Sequence, residues 1–208
     1  IFGHHPFLIV ADYLTRQGIA VLRVDDRGVG GSTGNMAQST TEDFASDVLA
    51  GVNYLKARKE INPKQIGLLG HSEGGIVAPM VASQSNDIAF IVLMAGTGLT
   101  GEEILYRQSD LIARASGASD STIMKNRQSQ QRLFAIIKQE KDDSLAAVKL
   151  RSAMKETINK LSETEKKSMG DSETYINVQV QQLISPWFRY FLTYDPRPTL
   201  MKVKCPVL

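Results

Sequence analysis

Apolar side chains recur at helical spacing in two segments of the first half of the chain. In residues 5–17 they follow Pro6, a residue that suits the first turn of a helix. Residues 41–59 carry a second apolar stripe, preceded by a pair of threonines able to cap a helix. Residues 75–83, which follow the second predicted strand, are predicted as a third helix. The pattern therefore predicts three helices in this part of the chain.

Short runs of apolar, largely β-branched residues lie between these segments, at residues 19–26, 65–70 and 88–96. Runs of this length, bounded by polar residues and glycines, are typical of the buried strands of a parallel sheet. Strands that alternate with helices form βαβ units, whose right-handed crossovers cover both faces of the sheet. The predicted fold class is therefore α/β, with a mostly parallel sheet and helices on both faces.

The character of the chain changes after Gly96. Residues 97–185 contain no run of β type, and their apolar residues recur at helical spacing among charges of both signs. Residues 203–208 again have the composition of a strand. We therefore predict three parts: residues 1–96 as the first part of an α/β core, residues 97–185 as an all-helical insertion, and residues 186–208 as a return to the core.

Composition argues against several classes of partner. The 208 residues carry 24 Lys and Arg against 22 Asp and Glu, a net charge of +2 without a basic block, so nucleic acid is not an expected partner. No run approaches the roughly 18 apolar residues of a membrane span, and the first residues lack the pattern of a signal peptide. We expect a soluble protein, cytoplasmic or exported, of open oligomeric state. Cys205 is the only cysteine, so no internal disulfide can form.

One pentapeptide carries most of the chemistry: Gly70-His71-Ser72-Glu73-Gly74, a G-x-S-x-G motif between a predicted strand and a predicted helix. In this context the serine lies on a strained turn, which the flanking glycines permit, with its hydroxyl exposed at the carboxyl edge of the sheet. The start of the helix favours an anion, and the backbone N–H of Glu73 is the expected oxyanion donor. Two other interpretations are weaker. One is a glycine-rich turn whose serine caps the helix; the other is a phosphate loop, which would require a lysine that the motif lacks.

Charged residues and histidines elsewhere are further candidates for a site. Asp25, Asp26 and Arg27 lie at the carboxyl end of the first predicted strand, the edge where α/β sheets bind ligands, but Asp26 and Arg27 can instead organise the loop that follows. His4 and His5 could act as a base or as metal ligands, but no cluster of Cys, His and Asp at ligand spacing accompanies them. The sequence therefore predicts neither a metal nor a cofactor.

Two further features concern packing. His71 precedes Ser72 directly, so the turn directs its side chain elsewhere, and we expect it to pack beneath the turn. An aromatic group after the helical insertion is expected to pack in a core, with the lining of an acyl pocket as the alternative; it comprises Trp187, Phe188, Tyr190 and Phe191.

Three stretches of the chain resemble the α/β-hydrolase superfamily: residues 18–34, residues 66–75 with their continuation into the next helix, and residues 185–208. The likeness is to bacterial serine esterases related to prolyl-oligopeptidase-like and dienelactone-hydrolase-like proteins. It implies that Ser72 is the nucleophile, that residues 97–185 form a lid, and that the substrate is a small-molecule ester hydrolysed through an acyl-enzyme. A peptidase or an acyl thioesterase on the same scaffold is an alternative, and so is a non-catalytic protein that binds a small ligand.

No histidine follows Ser72, although in α/β-hydrolases the acid and then the histidine base come after the nucleophile. We therefore expect both groups beyond Leu208, and we expect residues 1–208 alone to be inactive toward esters. A second oxyanion donor would belong to residues 1–3 or to residues before them.

Overall fold

A computed structural model describes residues 3–208, apart from the side chains of residues 165, 168 and 169. The three helices predicted in the first half of the chain and the all-helical character predicted for residues 97–185 are confirmed within this range. In chain order the elements are α1 (Pro6–Arg16), a short 3₁₀-helix (Met36–Gln38), α2 (Thr41–Lys56), β1 (Gly67–His71), α3 (Gly74–Gln84), β2 (Phe90–Met94), α4 (Gly101–Ala115), α5 (Asp120–Gln139), α6 (Asp143–Asn159), α7 (Glu163–Met169), α8 (Ser172–Leu183), α9 (Pro186–Thr193) and α10 (Arg197–Leu200).

Strands β1 and β2 form a parallel pair, with Leu68 opposite Ile91. The last residues of the chain lie along the other edge of β2. Ile91 and Val207 form a parallel bridge, and the Leu93 N–H donates to the Leu208 carbonyl at 2.7 Å. The sequence correctly predicted β1 and β2, in the parallel orientation that a βαβ connection requires. Residues 203–208, predicted as a further strand, form a single parallel bridge at Val207.

Helix α3 is buried along most of its length, since residues 75–82 are all buried. It packs against β1, β2 and α2, which leaves it no side facing solvent. This surrounding explains why the helix is apolar all round instead of carrying a single apolar stripe. Ile76 of α3 and Ile91 of β2, 2% and 0% exposed, lie in the resulting core.

The two faces of the sheet differ in their cover. The face toward α3 is buried, whereas Leu69, Phe90 and Met94 alternate with the buried positions and are exposed on the other face. Helix α1 reaches this second face where the ring of Phe7 meets the edge of the His71 ring, 5.5 Å between centroids. The predicted cover of helices on both faces of the sheet is therefore complete only on the face toward α3.

The strand predicted for residues 19–26 is wrong for the structure. Each of these eight residues is exposed, and none belongs to a strand or a bridge. A strand needs a neighbouring backbone to accept its hydrogen bonds, and none of the described segments pairs with this one. Its apolar composition is real, but composition alone does not supply a pairing partner.

Helices α4, α5, α6 and α8 contribute to a second hydrophobic cluster that is separate from the core around α3. Leu150 of α6 and Val180 of α8 are 0% exposed at its centre. Helix α9 joins the two clusters, because its buried Phe188 belongs to the second and its Phe191 packs against the first. Within the described part of the chain, no helix combines the length and the apolar composition that a membrane crossing requires.

Candidate active site

The turn between β1 and α3 holds Ser72 in an unusual backbone conformation. Its φ is 54°, in the left-handed region that residues other than glycine rarely adopt. The Ser72 N–H donates to the Met94 carbonyl at 3.0 Å, and the Ser72 carbonyl accepts the N–H of Gly75 at 2.9 Å. These two bonds tie the turn to β2 on one side and to α3 on the other. A conformation of this kind costs about 1–3 kcal/mol and persists because its surroundings hold it.

Glycines permit this turn by allowing backbone to approach backbone. A Cβ at Gly70 would lie 2.0 Å from the Gly74 carbonyl oxygen, and a Cβ at Gly75 would lie 2.4 Å from the Cα of Gly96. No side chain fits at either position without moving the main chain. The first glycine of the motif is therefore required by the sharp strand-to-helix connection, and Gly75 is required by the packing of α3 on the end of β2.

The turn presents Ser72 and the Glu73 N–H to solvent at the carboxyl edge of the sheet. Ser72 is exposed, and within residues 3–208 its hydroxyl has no hydrogen-bond partner. The N–H groups of Ser72, Gly75 and Ile76 all find acceptors, whereas no acceptor among the described residues takes the N–H of Glu73. Glu73 is the residue before the first turn of α3, where free N–H groups and the helix dipole favour an anion. The arrangement can bind a negatively charged oxygen next to a serine hydroxyl.

The side chain of Glu73 points away from this role and into the protein. Its Oε1 accepts the hydroxyl of Thr41 and the indole N–H of Trp187, each at 2.8 Å. Thr41 is the first residue of α2 and is 1% exposed, and Trp187 lies in α9. Sequence reasoning missed this contact, because no local pattern relates residues that are 114 positions apart.

Among the described residues, no hydrogen bond joins the Ser72 hydroxyl to His5 or His71. His71 is exposed and packs against Phe7, so the expectation that it lies beneath the turn is wrong. His4 and His5 line a hollow of about 140 Å³ that also includes Arg23. The second oxyanion donor was expected in residues 1–3, of which the first two lie outside the described residues.

The charged residues at 25–27 organise their loop and its attachment to α2. The Asp25 carboxylate accepts the Gly31 N–H at 3.2 Å, and Arg27 binds the Asp47 carboxylate through two nitrogens at 2.6 and 2.7 Å. The hydrogen bonds to the Asp47 carboxylate raise the pKa of Arg27 above its ordinary value. The structural role predicted for Arg27 is therefore observed, whereas Asp26, for which the same role was predicted, contributes only its backbone carbonyl, which accepts the Val29 N–H. Asp25, for which no such role was predicted, orders the loop through its carboxylate.

A groove of about 300 Å³ lies outside the Ser72 turn, between α2, α3 and the chain around α9 and α10. Its polar lining includes Glu42 and Tyr190, whose hydroxyl donates to the Glu42 carboxylate at 3.0 Å. Burial, followed by this hydrogen bond, raises the pKa of Tyr190. The α3 residues that line the groove begin at Met80, roughly 12 Å along the helix from Ser72 at 1.5 Å per residue. Size alone therefore does not assign this groove to the chemistry at Ser72.

No three His, Cys, Asp or Glu side chains among residues 3–208 lie close enough together to hold a metal ion.

Residues 6–160 match a protein-family model described as serine aminopeptidase, S33. The matched range contains α1, both strands, the Ser72 turn, α3 and the helical chain as far as the end of α6.

Proposed function

The chain belongs to the serine aminopeptidase S33 family of the α/β-hydrolase superfamily, a family of hydrolases, and from this premise we propose that it is a serine esterase acting through an acyl-enzyme on Ser72. The single observation that supports this most is the left-handed Ser72 between β1 and α3, exposed beside the free Glu73 N–H. This is the backbone geometry that a serine nucleophile of this superfamily needs.

The proposed reaction assigns a role to each atom of the turn. The Ser72 Oγ bonds to the ester carbonyl carbon while its proton passes to a base. The carbonyl oxygen takes up negative charge beside the Glu73 N–H, whose hydrogen bond strengthens as that charge develops. The bond to the alcohol then breaks, and the alcohol leaves with the proton held by the base. Water attacks the acyl-enzyme in the same manner and releases the acid.

We propose that the catalytic acid and base are supplied from beyond residue 208. The support is that the three histidines of the chain, His4, His5 and His71, all precede Ser72, whereas in this superfamily the histidine base follows the nucleophile along the chain. An unassisted serine hydroxyl is a weak nucleophile near neutral pH.

The remaining parts of the proposal concern architecture. Residues 1–96 and 186–208 would form the α/β core, and residues 97–185 would be a lid over Ser72, as their separate hydrophobic cluster suggests. The likeness to prolyl-oligopeptidase-like and dienelactone-hydrolase-like esterases belongs to this proposal as well.

Peptide hydrolysis is the second candidate function. It is favoured by the description of the matched family, which names an aminopeptidase. An acyl thioesterase would use the same serine turn, because the scaffold does not determine the leaving group. A protein of this fold that only binds a small ligand would show none of these activities.

The test is to substitute Ser72 by alanine in the complete natural protein. We expect Ser72→Ala to lower hydrolysis of short p-nitrophenyl esters by about 10⁴-fold or more, since the members of a catalytic triad act as a unit. Ser83→Ala is the matched control, because it removes a hydroxyl that bonds only within α3. Aminoacyl p-nitroanilides and acyl thioesters measured in parallel identify the preferred leaving group.

Ester turnover that persists in Ser72→Ala would contradict the assignment. A wild-type protein that neither turns over these substrates nor reacts with a fluorophosphonate would identify the non-catalytic alternative.

A further inference from the structure

The carboxylate of Glu73 joins three parts of the molecule that are distant in sequence. It belongs to the residue after Ser72, and it accepts hydrogen bonds from Thr41 at the start of α2 and from Trp187 in α9. Both donors bind the same oxygen, Oε1, at 2.8 Å. The side chain is half-buried, and hydrogen bonds to a charged acceptor are among the stronger ones in proteins.

Trp187 lies at the junction of the two hydrophobic clusters. Its ring stacks on Phe191, with 5.4 Å between centroids and 18° between planes, and Phe191 packs against the α3 core. The next residue, Phe188, is 6% exposed inside the cluster of the helical segment. A displacement of the helical segment would therefore change the position of the indole N–H that Glu73 binds.

We propose that Glu73 is a positioning residue: its carboxylate, held by Thr41 and Trp187, fixes the direction of its own backbone N–H and makes that direction depend on the seating of α9. The inference rests on the proposed function, because it assigns the Glu73 N–H to the oxyanion. Two bonds to one oxygen restrict rotation of the side chain, and the side chain and the N–H share the same Cα. A donor of this kind stabilises the transition state more than the bound substrate, so its misalignment lowers kcat and leaves KM nearly unchanged.

The test uses variants that remove one donor each and keep the shape of the site. Trp187→Phe removes the indole N–H but keeps an aromatic ring against Phe191, and Thr41→Val removes the hydroxyl from a nearly isosteric side chain. We expect each to lower kcat for a p-nitrophenyl ester by about tenfold with KM within about twofold, a fraction of the 10²–10³ lost with a whole oxyanion donor. Glu73→Ala should lose at least as much, whereas Glu73→Gln keeps an oxygen that accepts both bonds and should retain most of kcat.

Tyr190→Phe is the matched control. Its hydroxyl also joins α9 to the first turn of α2, through Glu42, but it does not touch the Ser72 turn. We expect its kcat to equal that of the wild type. If Tyr190→Phe lowers kcat as much as Trp187→Phe does, then any hydrogen bond between α9 and α2 has this effect, and the positioning role assigned to Glu73 is wrong.

Trp187 also provides a readout that is independent of turnover, because it is the only tryptophan in the chain. Its emission should shift in Glu73→Ala and change little in Glu73→Gln; an unchanged emission in Glu73→Ala would overturn the contact itself. Should Trp187→Phe fail to fold, as circular dichroism would show, Thr41→Val and Glu73→Ala decide the question. Wild-type kcat in both, with Ser72→Ala inactive, would refute the inference alone. An active Ser72→Ala would refute the proposed function and the inference with it.

Discussion

The unit of residues 41–96 and the helices of residues 101–183 differ in how their elements approach each other. In the first, backbone meets backbone: Gly75 lies against Gly96, and α3 is buried on every side. In the second, helices meet through long side chains around a cluster that includes Leu150. Ion pairs between these helices such as Arg132–Glu156 and Lys155–Glu173 are about half exposed and contribute little by themselves, so the cluster carries most of the stability. One region should therefore be sensitive to added atoms and the other to removed atoms.

The largest effect is expected from a deletion in the helical segment. Leu150→Ala empties the centre of its cluster, where Leu150 is 0% exposed, and should cost roughly 3 to 4 kcal/mol of unfolding free energy. Leu145→Ala on the same helix is the control, since Leu145 is 54% exposed and its loss should cost about 0.5 kcal/mol or less. Urea unfolding measures both, and hydrogen exchange shows whether the lost protection stays within residues 101–183. Equal losses in the two variants would contradict the packing of α6.

An insertion into the first region should cost somewhat less. Gly75→Ala adds a Cβ 2.4 Å from the Cα of Gly96, and the main-chain shift it requires should cost about 2 to 3 kcal/mol. Gly74→Ala is the matched control one residue earlier, because a Cβ there meets nothing within 4 Å. Its unfolding free energy should stay within about 0.5 kcal/mol of the wild type. A Gly75→Ala variant as stable as Gly74→Ala would show that this region does not depend on backbone contact.

The smallest effect is expected at the helix N-termini, because a helix in each region begins with a capping box. Helix α2 begins with Thr40 and the Asp43 carboxylate, and α4 begins with Thr100 and the Glu103 carboxylate, each in a capping box. The N–H and hydroxyl of Thr40 hold the pKa of Asp43 below its ordinary 3.8. The hydroxyl and N–H of Thr100 likewise lower the pKa of Glu103 below 4.5.

A lowered carboxyl pKa adds stability that is present above the ordinary pKa and is lost as the pH falls through the folded-state pKa. Asp43→Asn and Glu103→Gln should therefore be less stable than the wild type at pH 7, and the difference should shrink below about pH 4. Urea midpoints across a pH series measure this. A difference that persists unchanged to pH 2 would show that the charge on the cap is not its cause.

Local features of the fold could be predicted from the sequence. Strands β1 and β2, helix α3 and the turn at Ser72 were predicted because a short apolar run, a G-x-S-x-G motif and an apolar segment of helical length lie next to each other in the chain. The all-helical nature of residues 101–183 followed from periodicity in the same way. Residues 19–26 have equally strong local signals, yet they form no strand, because pairing is not a local property.

The amino-acid sequence by itself determined the backbone of the candidate site, since the strained Ser72 turn depends on glycines within five residues of it. Only the tertiary structure decided where the side chains around that turn go. It placed His71 against Phe7 and brought Trp187 to Glu73 across 114 residues. The physical reason is that backbone conformation depends on neighbours in the chain, whereas the partner of a half-buried carboxylate is set by the packing of helices, and no sequence spacing encodes those contacts.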